Sequence, residues 1–179
     1  MRLFIGLAFD DRIKNAVYGV SLQIRPMYEG DFTKKENLHL TLNFLGEVQG
    51  SLLPTIRSAM HAAVTEQPAF SLTSARLGSF KGKNGDKTLW LGIDESAGLL
   101  NLFELLESAL SVSGFATETH PLRAHITLAR RAVFGGELFS KAAIPPIIIP
   151  VNRVTLFENA RVNGELIYKP LFAAKLKEH

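Results

Sequence analysis

Apolar residues recur at two spacings along the chain, and the order in which the spacings alternate outlines the fold. From Arg2 to Phe9 the period is two: Leu3, Ile5, Leu7 and Phe9 share one face against Arg2, Phe4, Gly6 and Ala8, which predicts a half-buried strand. Asp10 or Asp11 then caps a helix carrying Ile13, Ala16, Val17 and Val20 at helical spacing and ending near Pro26. A second strand is expected from Leu38 to Leu45, closed by Gly46. Ser51 is positioned to cap a helix to Glu66, with Pro54 tolerated in the first turn, where backbone donors have no intrahelical partner.

Strands at Ala69 to Phe80 and Thr88 to Asp94 flank a turn-rich basic connection, Lys81 to Lys87, and a third helix, Ala97 to Ser113, stops at Gly114. The pattern then gives a strand from His125 to Arg130, a loop through Gly135-Gly136, and a last strand pair, Ile147 to Phe157 and Leu166 to Leu176, around the Asn163-Gly164 turn. Interleaved strands and helices with hairpin connections predict an α+β fold with antiparallel pairing rather than a doubly wound parallel sheet. Nothing in the composition marks a linker, so residues 1–179 are expected to form a single two-lobed domain.

Composition narrows the chemistry. Hydrophobic residues make up 46% of 179, enough to close a core, and no apolar run approaches the roughly 20 residues that span a bilayer. Met1 to Phe9 lacks the tripartite pattern of a secretory signal, so the expected location is the cytoplasm, with no membrane partner. Cysteine is absent, which excludes disulfides, thiolate metal sites and a Cys nucleophile. The net charge of +3 fits an anionic partner, but 20 basic against 17 acidic residues is far from the bias of a dedicated nucleic-acid scaffold.

One tetrad is written twice: His39-Leu40-Thr41-Leu42 and His125-Ile126-Thr127-Leu128. Chance supplies about 0.04 copies of His-x-Thr-Leu in a chain of this composition, so the pair reads as a two-part site on two related halves. On a strand, His39, Thr41 and Asn43 project to one face while Leu38, Leu40, Leu42 and Phe44 project to the other. His125 and Thr127 repeat the arrangement. Two imidazoles across a cleft suit acid and base work near neutral pH, and hydroxyls between them suit phosphate oxygens, which matches in-line displacement at phosphorus without a metal. No third His or acidic residue lies in either tetrad to complete a usual metal-ligand set.

Other residues carry weaker signals. Alternation places Arg130 opposite His125, so it reaches a phosphate only if the strand bends or ends before it. Phe4, on the less apolar face of the first strand, is placed to stack on a base. Lys81, Lys83 and Lys87 read as a solvated hairpin tip, Trp90 as core, and His61, His120 and His179 as surface residues.

The two tetrads, with Arg2-Leu-Phe-Ile-Gly-Leu at the start, Glu36-Asn-Leu before the first tetrad, Leu156-Phe-Glu158 and Tyr168-Lys-Pro-Leu171, resemble the two-histidine phosphoesterase superfamily. Within it they resemble in particular the bacterial and archaeal RNA 2′,3′-cyclic phosphodiesterases historically called 2′-5′ RNA ligases. That resemblance implies two pseudo-symmetric antiparallel-sheet lobes with outer helices and a central cleft, no cofactor, and hydrolysis of a terminal 2′,3′-cyclic phosphate to a 2′-phosphate. It also implies His39 as proton donor to the leaving 3′ oxygen and His125 as proton acceptor from water, with 2′-5′ ligation when a ribose hydroxyl replaces water. Thr41, Thr127, Arg130, Asn43 and Phe4 are the candidate substrate-binding residues. RNA ending in a cyclic phosphate, tRNA fragments among them, is the expected partner of a monomer. Two places depart from the family pattern: Ala124 stands where Pro often precedes the second His, and Asn159 where Ser often follows Glu158. The alternative readings are a module that grips RNA 3′ ends, and a phosphoesterase for a small cyclic nucleotide such as ADP-ribose 1″,2″-cyclic phosphate.

Overall fold

A computed structural model describes residues 1–82, 84–116, 120–133 and 144–178. Among the described residues the chain forms nine strands and three α-helices: β1 (Arg2–Ala8), α1 (Asp11–Ile24), β2 (Glu29–Phe32), β3 (His39–Glu47), α2 (Leu53–Val64), β4 (Phe70–Lys81), β5 (Lys87–Ile93), α3 (Ala97–Val112), β6 (His125–Val133), β7 (Ile148–Val151), β8 (Arg153–Val162) and β9 (Glu165–Lys175). All ladder pairs are antiparallel, in the order β7-β4-β5-β6-β3-β1-β8-β9, with β2 added alongside β6. The two lobes are the halves of this sheet. They meet where β3 and β6, the two tetrad strands, pair through Leu40 and Ile126. The halves share a β-α-β order, β1-α1-β3 in one and β5-α3-β6 in the other.

The helices start and stop for local reasons. Asp10 Oδ1 accepts the Ile13 N–H at 2.8 Å, and Ile13, Val17, Val20 and Ile24 line the buried stripe of α1. Ser96 caps α3 through the Leu99 N–H, Leu99, Leu102, Leu106 and Leu110 are buried, and Gly114 ends the helix with φ +85°. These stripes join the same core as Leu40, Leu42, Ile126 and Leu128. The apolar residues of the tetrads therefore anchor the central strands against the helices, and His39, Thr41, His125 and Thr127 stay half-buried on the other face.

Several expectations shift. Ser51 does not cap α2; a 3₁₀ turn, Gly50–Leu52, leads into it, and Leu52 stands at the cap without a side-chain hydrogen bond. β1 is buried on both faces: Leu3, Ile5 and Leu7 join the core, and on the other face Phe4 is covered by Phe157 and Tyr168. The strand expected from Ile147 to Phe157 breaks at Asn152: β7 pairs with β4 at one edge of the sheet, and β8 crosses to lie between β1 and β9. β2, a short polar strand with no alternation to betray it, was not expected. The Asn163-Gly164 turn has φ of +51° and +81°, as a two-residue hairpin of this hand requires. The loop at Gly135-Gly136, Lys83 and His179 lie outside the described residues.

Candidate active site

Strict alternation fails twice in each tetrad strand, and the first break falls at the same place in both. On β3, Gly6 pairs with Thr41 and Ile5 with Asn43, so Leu42 is an extra residue against β1. On β6, Trp90 pairs with Thr127 and Leu89 with Ala129, so Leu128 is an extra residue against β5. Each is a β-bulge at the Leu of the tetrad, and the burial sequence across the first six residues of both strands is identical. A one-residue insertion flips every later side chain to the other face.

The flip corrects two assignments and meets the condition set on a third. Asn43 leaves the cleft: it is 2% exposed, and its Nδ2 donates to Glu107 Oε1 on α3. Phe44, expected in the core, turns out beside His39 and Thr41, with the Arg2 guanidinium 5.2 Å from its ring centre. Arg130 turns to the same cleft as His39, Thr41 and Phe44, which is the bend that its participation required. Gly6 sits where this register brings β1 against β3; a Cβ there would collide with the Leu40 carbonyl.

Both imidazoles are held in one way. His39 Nδ1 lies 2.7 Å from the Asn37 carbonyl and His125 Nδ1 lies 2.6 Å from the Arg123 carbonyl, each two residues upstream. A carbonyl only accepts, so Nδ1 carries hydrogen in both rings and Nε2 is left to exchange protons. His39 Nε2 lies 2.9 Å from Thr41 Oγ1. The Leu40–Ile126 pairing sets His39 opposite Thr127 and Thr41 opposite His125 in antiparallel register.

The surroundings of the two rings differ. His39 is walled by Phe4, Phe157 and Tyr168, with ring centres 4.9, 5.9 and 4.7 Å away. Burial holds its pKa down at about 4, with smaller contributions in the same direction from Arg130, His125 and Lys14 and an opposing one from the Asn37 hydrogen bond. Phe4 is 4% exposed, stacked on Phe157 and edged by Tyr168, so it packs around the imidazole rather than presenting a ring to a base. His125 lies against Phe80, edge on at 5.0 Å, and near Trp90 at 6.4 Å; burial and then Arg130 lower its pKa, opposed by the Arg123 hydrogen bond. Trp90 is half-buried in the cleft wall, not in the core.

Residues that the sequence did not single out complete the site. Asn37 is buried, and besides holding His39 its side chain donates to the Leu166 carbonyl at 2.8 Å and accepts the Tyr168 N–H at 3.2 Å. It thereby ties β9, nearly 130 positions away, to the first tetrad. Arg2, Arg130 and Arg161 line a cavity of about 400 Å³ on the His39 side. Among the described residues no group of three or more His, Asp or Glu side chains gathers to hold a metal ion.

An open antiparallel α+β sheet whose two halves each present a His-x-Thr strand to one cleft defines the class of protein. Residues 10–90 match the model of the LigT-like phosphoesterases. The chain is 29% identical to the RNA 2′,3′-cyclic phosphodiesterase of Thermotoga maritima over 99% of its own length and 96% of that protein. It is 31% identical to the enzyme of that name from Archaeoglobus fulgidus over 73% of this chain and 72% of that one. Its structure superimposes on Escherichia coli LigT, solved with 3′-AMP, with a TM-score of 0.79 at 29% identity, covering 98% of this chain and 97% of the other. The chain belongs to the LigT-like phosphoesterase family.

Proposed function

We propose that this protein hydrolyses the 2′,3′-cyclic phosphate at the end of an RNA to a 2′-phosphate, with His39 as acid and His125 as base. The observation that carries the reading is the matched restraint of two imidazoles by backbone carbonyls at both tetrads, on neighbouring antiparallel strands. Relatives named for this activity over nearly the whole chain support it.

Water forms a bond to phosphorus while His125 Nε2 takes its proton; the bond from phosphorus to the 3′ oxygen breaks while His39 Nε2 delivers a proton to that oxygen. His39 must therefore be charged when substrate is present. Burial alone keeps it neutral near pH 7, and the phosphodiester supplies the negative charge that favours the imidazolium. Protonation also frees Thr41. Neutral Nε2 accepts the Thr41 hydrogen, whereas the imidazolium presents its single Nε2–H to the leaving oxygen and leaves the Thr41 hydroxyl to donate to a phosphoryl oxygen. Thr127 acts from the facing strand, and Arg130 supplies a full charge to the developing negative oxygens.

The cycle uses no metal and no cofactor, and the form that carries it out is a cytoplasmic monomer acting as one unit. No helix among the described residues is long and apolar enough to cross a membrane. Purified protein incubated in EDTA with an oligonucleotide ending in a 2′,3′-cyclic phosphate should give a 2′-phosphate, and the product should vanish in both His39→Ala and His125→Ala. A 3′-phosphate product, or activity that needs a divalent ion, would overturn the proposal.

A further inference from the structure

Charge is arranged differently on the two sides of the cleft. Beside His125, in a cavity of about 540 Å³, Arg76 and Arg123 face Asp94 and Glu95. Beside His39, Arg2, Arg130 and Arg161 line the cavity with no carboxylate among its described residues. A guanidinium grips a phosphate only while no carboxylate already holds it. One carboxylate is placed to hold Arg130. In the ladder between β2 and β6, Asp31 stands directly opposite Arg130. Side chains so paired share a face with Cβ atoms about 5 Å apart, the arrangement in which Asp and Arg ordinarily meet.

Asp31 pairs instead with the next residue: its Oδ2 forms an ion pair with Arg131 Nη2. The backbone of β6 makes this possible. Leu89 pairs with Ala129 and Lys87 with Ala132, so β6 carries an extra residue against β5. Asp31 pairs with Arg130 and Glu29 with Val133, so it carries an extra residue against β2 at the same place. Without that insertion Arg131 would turn to the core face, which Ala132 now occupies at 1% exposure.

The insertion is costly at Arg131. Its φ is +50°, a left-handed conformation that glycine adopts without steric cost and arginine does not, whereas beside the second break in β3 stands a glycine, Gly46, at φ +69°. β2 presses on the bulge from the side: a Cβ on Gly30 would lie 2.8 Å from the Ala132 Cα. Both partners of the ion pair are largely exposed, Arg131 at 75% and Asp31 at 57%, so the pair adds little stability to offset the strain. Stability does not account for an arginine here, and the freedom of Arg130 does.

We infer that Arg131 is a positioning residue: by occupying the Asp31 carboxylate it keeps the Arg130 guanidinium free to meet the phosphate. This rests on the proposed function, in which Arg130 meets the phosphate of the cyclic end.

Arg131→Gly removes the side chain and leaves a residue that favours the same backbone, so the fold should hold in a denaturant titration. With its partner gone, Asp31 turns to Arg130, and kcat/KM on an oligonucleotide with a cyclic end should fall at least about fivefold. Arg131→Gln, which keeps the length and backbone preference of arginine without its charge, should show the same loss. Asp31→Asn added to either variant should restore kcat/KM to within about twofold of the unsubstituted protein, and in an Arg130→Ala background Arg131→Gly should cost less than about twofold. A residue that only shaped the bulge, or that itself touched the RNA, would not be rescued by a change at Asp31. A smaller loss in both Arg131 variants, double variants that stay outside the restored range, or a larger loss on top of Arg130→Ala overturns the role of Arg131, and turnover of the cyclic end by the unsubstituted protein then leaves the proposed function standing. Absence of that turnover overturns both.

Discussion

In the half of the sheet built on β3, the tetrad histidine is enclosed by three aromatic rings and faces a cavity of arginines; in the half built on β6, its counterpart lies beside two aromatic rings at the mouth of a charge-balanced cavity. The backbone is nearly the same in both, with the carbonyl restraint two residues before the His and the bulge at the Leu of the tetrad. A repeated backbone device thus fixes where two imidazoles stand, and unrepeated side chains decide what each does. The position equivalent to Trp90 against Thr127 is Gly6 against Thr41, so a glycine on one side answers an indole on the other.

The largest effect should come from removing either imidazole. His39→Ala and His125→Ala should each lower kcat/KM by about 10²–10⁴-fold on a cyclic-phosphate oligonucleotide. A loss under tenfold in one of them would mean that the halves do not share the chemistry. The bulge is tested by the pair Arg130→Ala and Asn43→Ala. The first should lower kcat/KM by about 10- to 100-fold at unchanged stability, since it removes a charge-assisted contact to the phosphate. The second should cost about 1–3 kcal/mol of stability in a denaturant titration at little change in kcat/KM, because the Asn43 hydrogen bond to α3 is buried. A reversed pattern would return Asn43 to the cleft.

Titration sharpens the contrast. The folded-state pKa of His39 is depressed from 6.5 to about 4, so between those values the unfolded chain binds more protons and stability falls as pH falls. On the order of 3 kcal/mol should be lost from pH 7 to below pH 4 through this group, and a thermal-melt series of His39→Asn should lose less over that window. Because a bound phosphodiester raises both imidazole pKa values, the bell-shaped profile of kcat should sit at higher pH than that of kcat/KM. Coincident bells would show that the anion does not meet the imidazoles.

Much of this architecture was legible in periodicity. Asp10, Ser96, Gly114 and the Asn163-Gly164 turn act locally, so α1, α3 and the last hairpin follow from neighbouring residues. The tetrads located the two histidines because repetition itself is a local signal. What escaped depends on partners distant in the chain. The bulges arise from the register of β3 against β1 and of β6 against β5, and no residue at Leu42 or Leu128 announces an insertion. Strict alternation therefore misplaced Asn43 and Phe44 and left Arg130 conditional. Asn37 and Tyr168 meet only after the chain has crossed the sheet, and the crossing at Asn152 leaves no mark in an otherwise continuous apolar run.

The division of labour between the halves is tested most directly by changing the leaving atom. With sulfur in place of the bridging 3′ oxygen of the cyclic phosphate, the leaving group departs as a thiolate and needs no proton, since thiols ionise near pH 8.5. The account predicts that the His39→Ala defect shrinks to within about tenfold of the unsubstituted protein on this substrate, while the His125→Ala defect keeps its full size of about 10²–10⁴-fold. Rescue of His125→Ala with no rescue of His39→Ala would contradict the assignment and exchange the two roles.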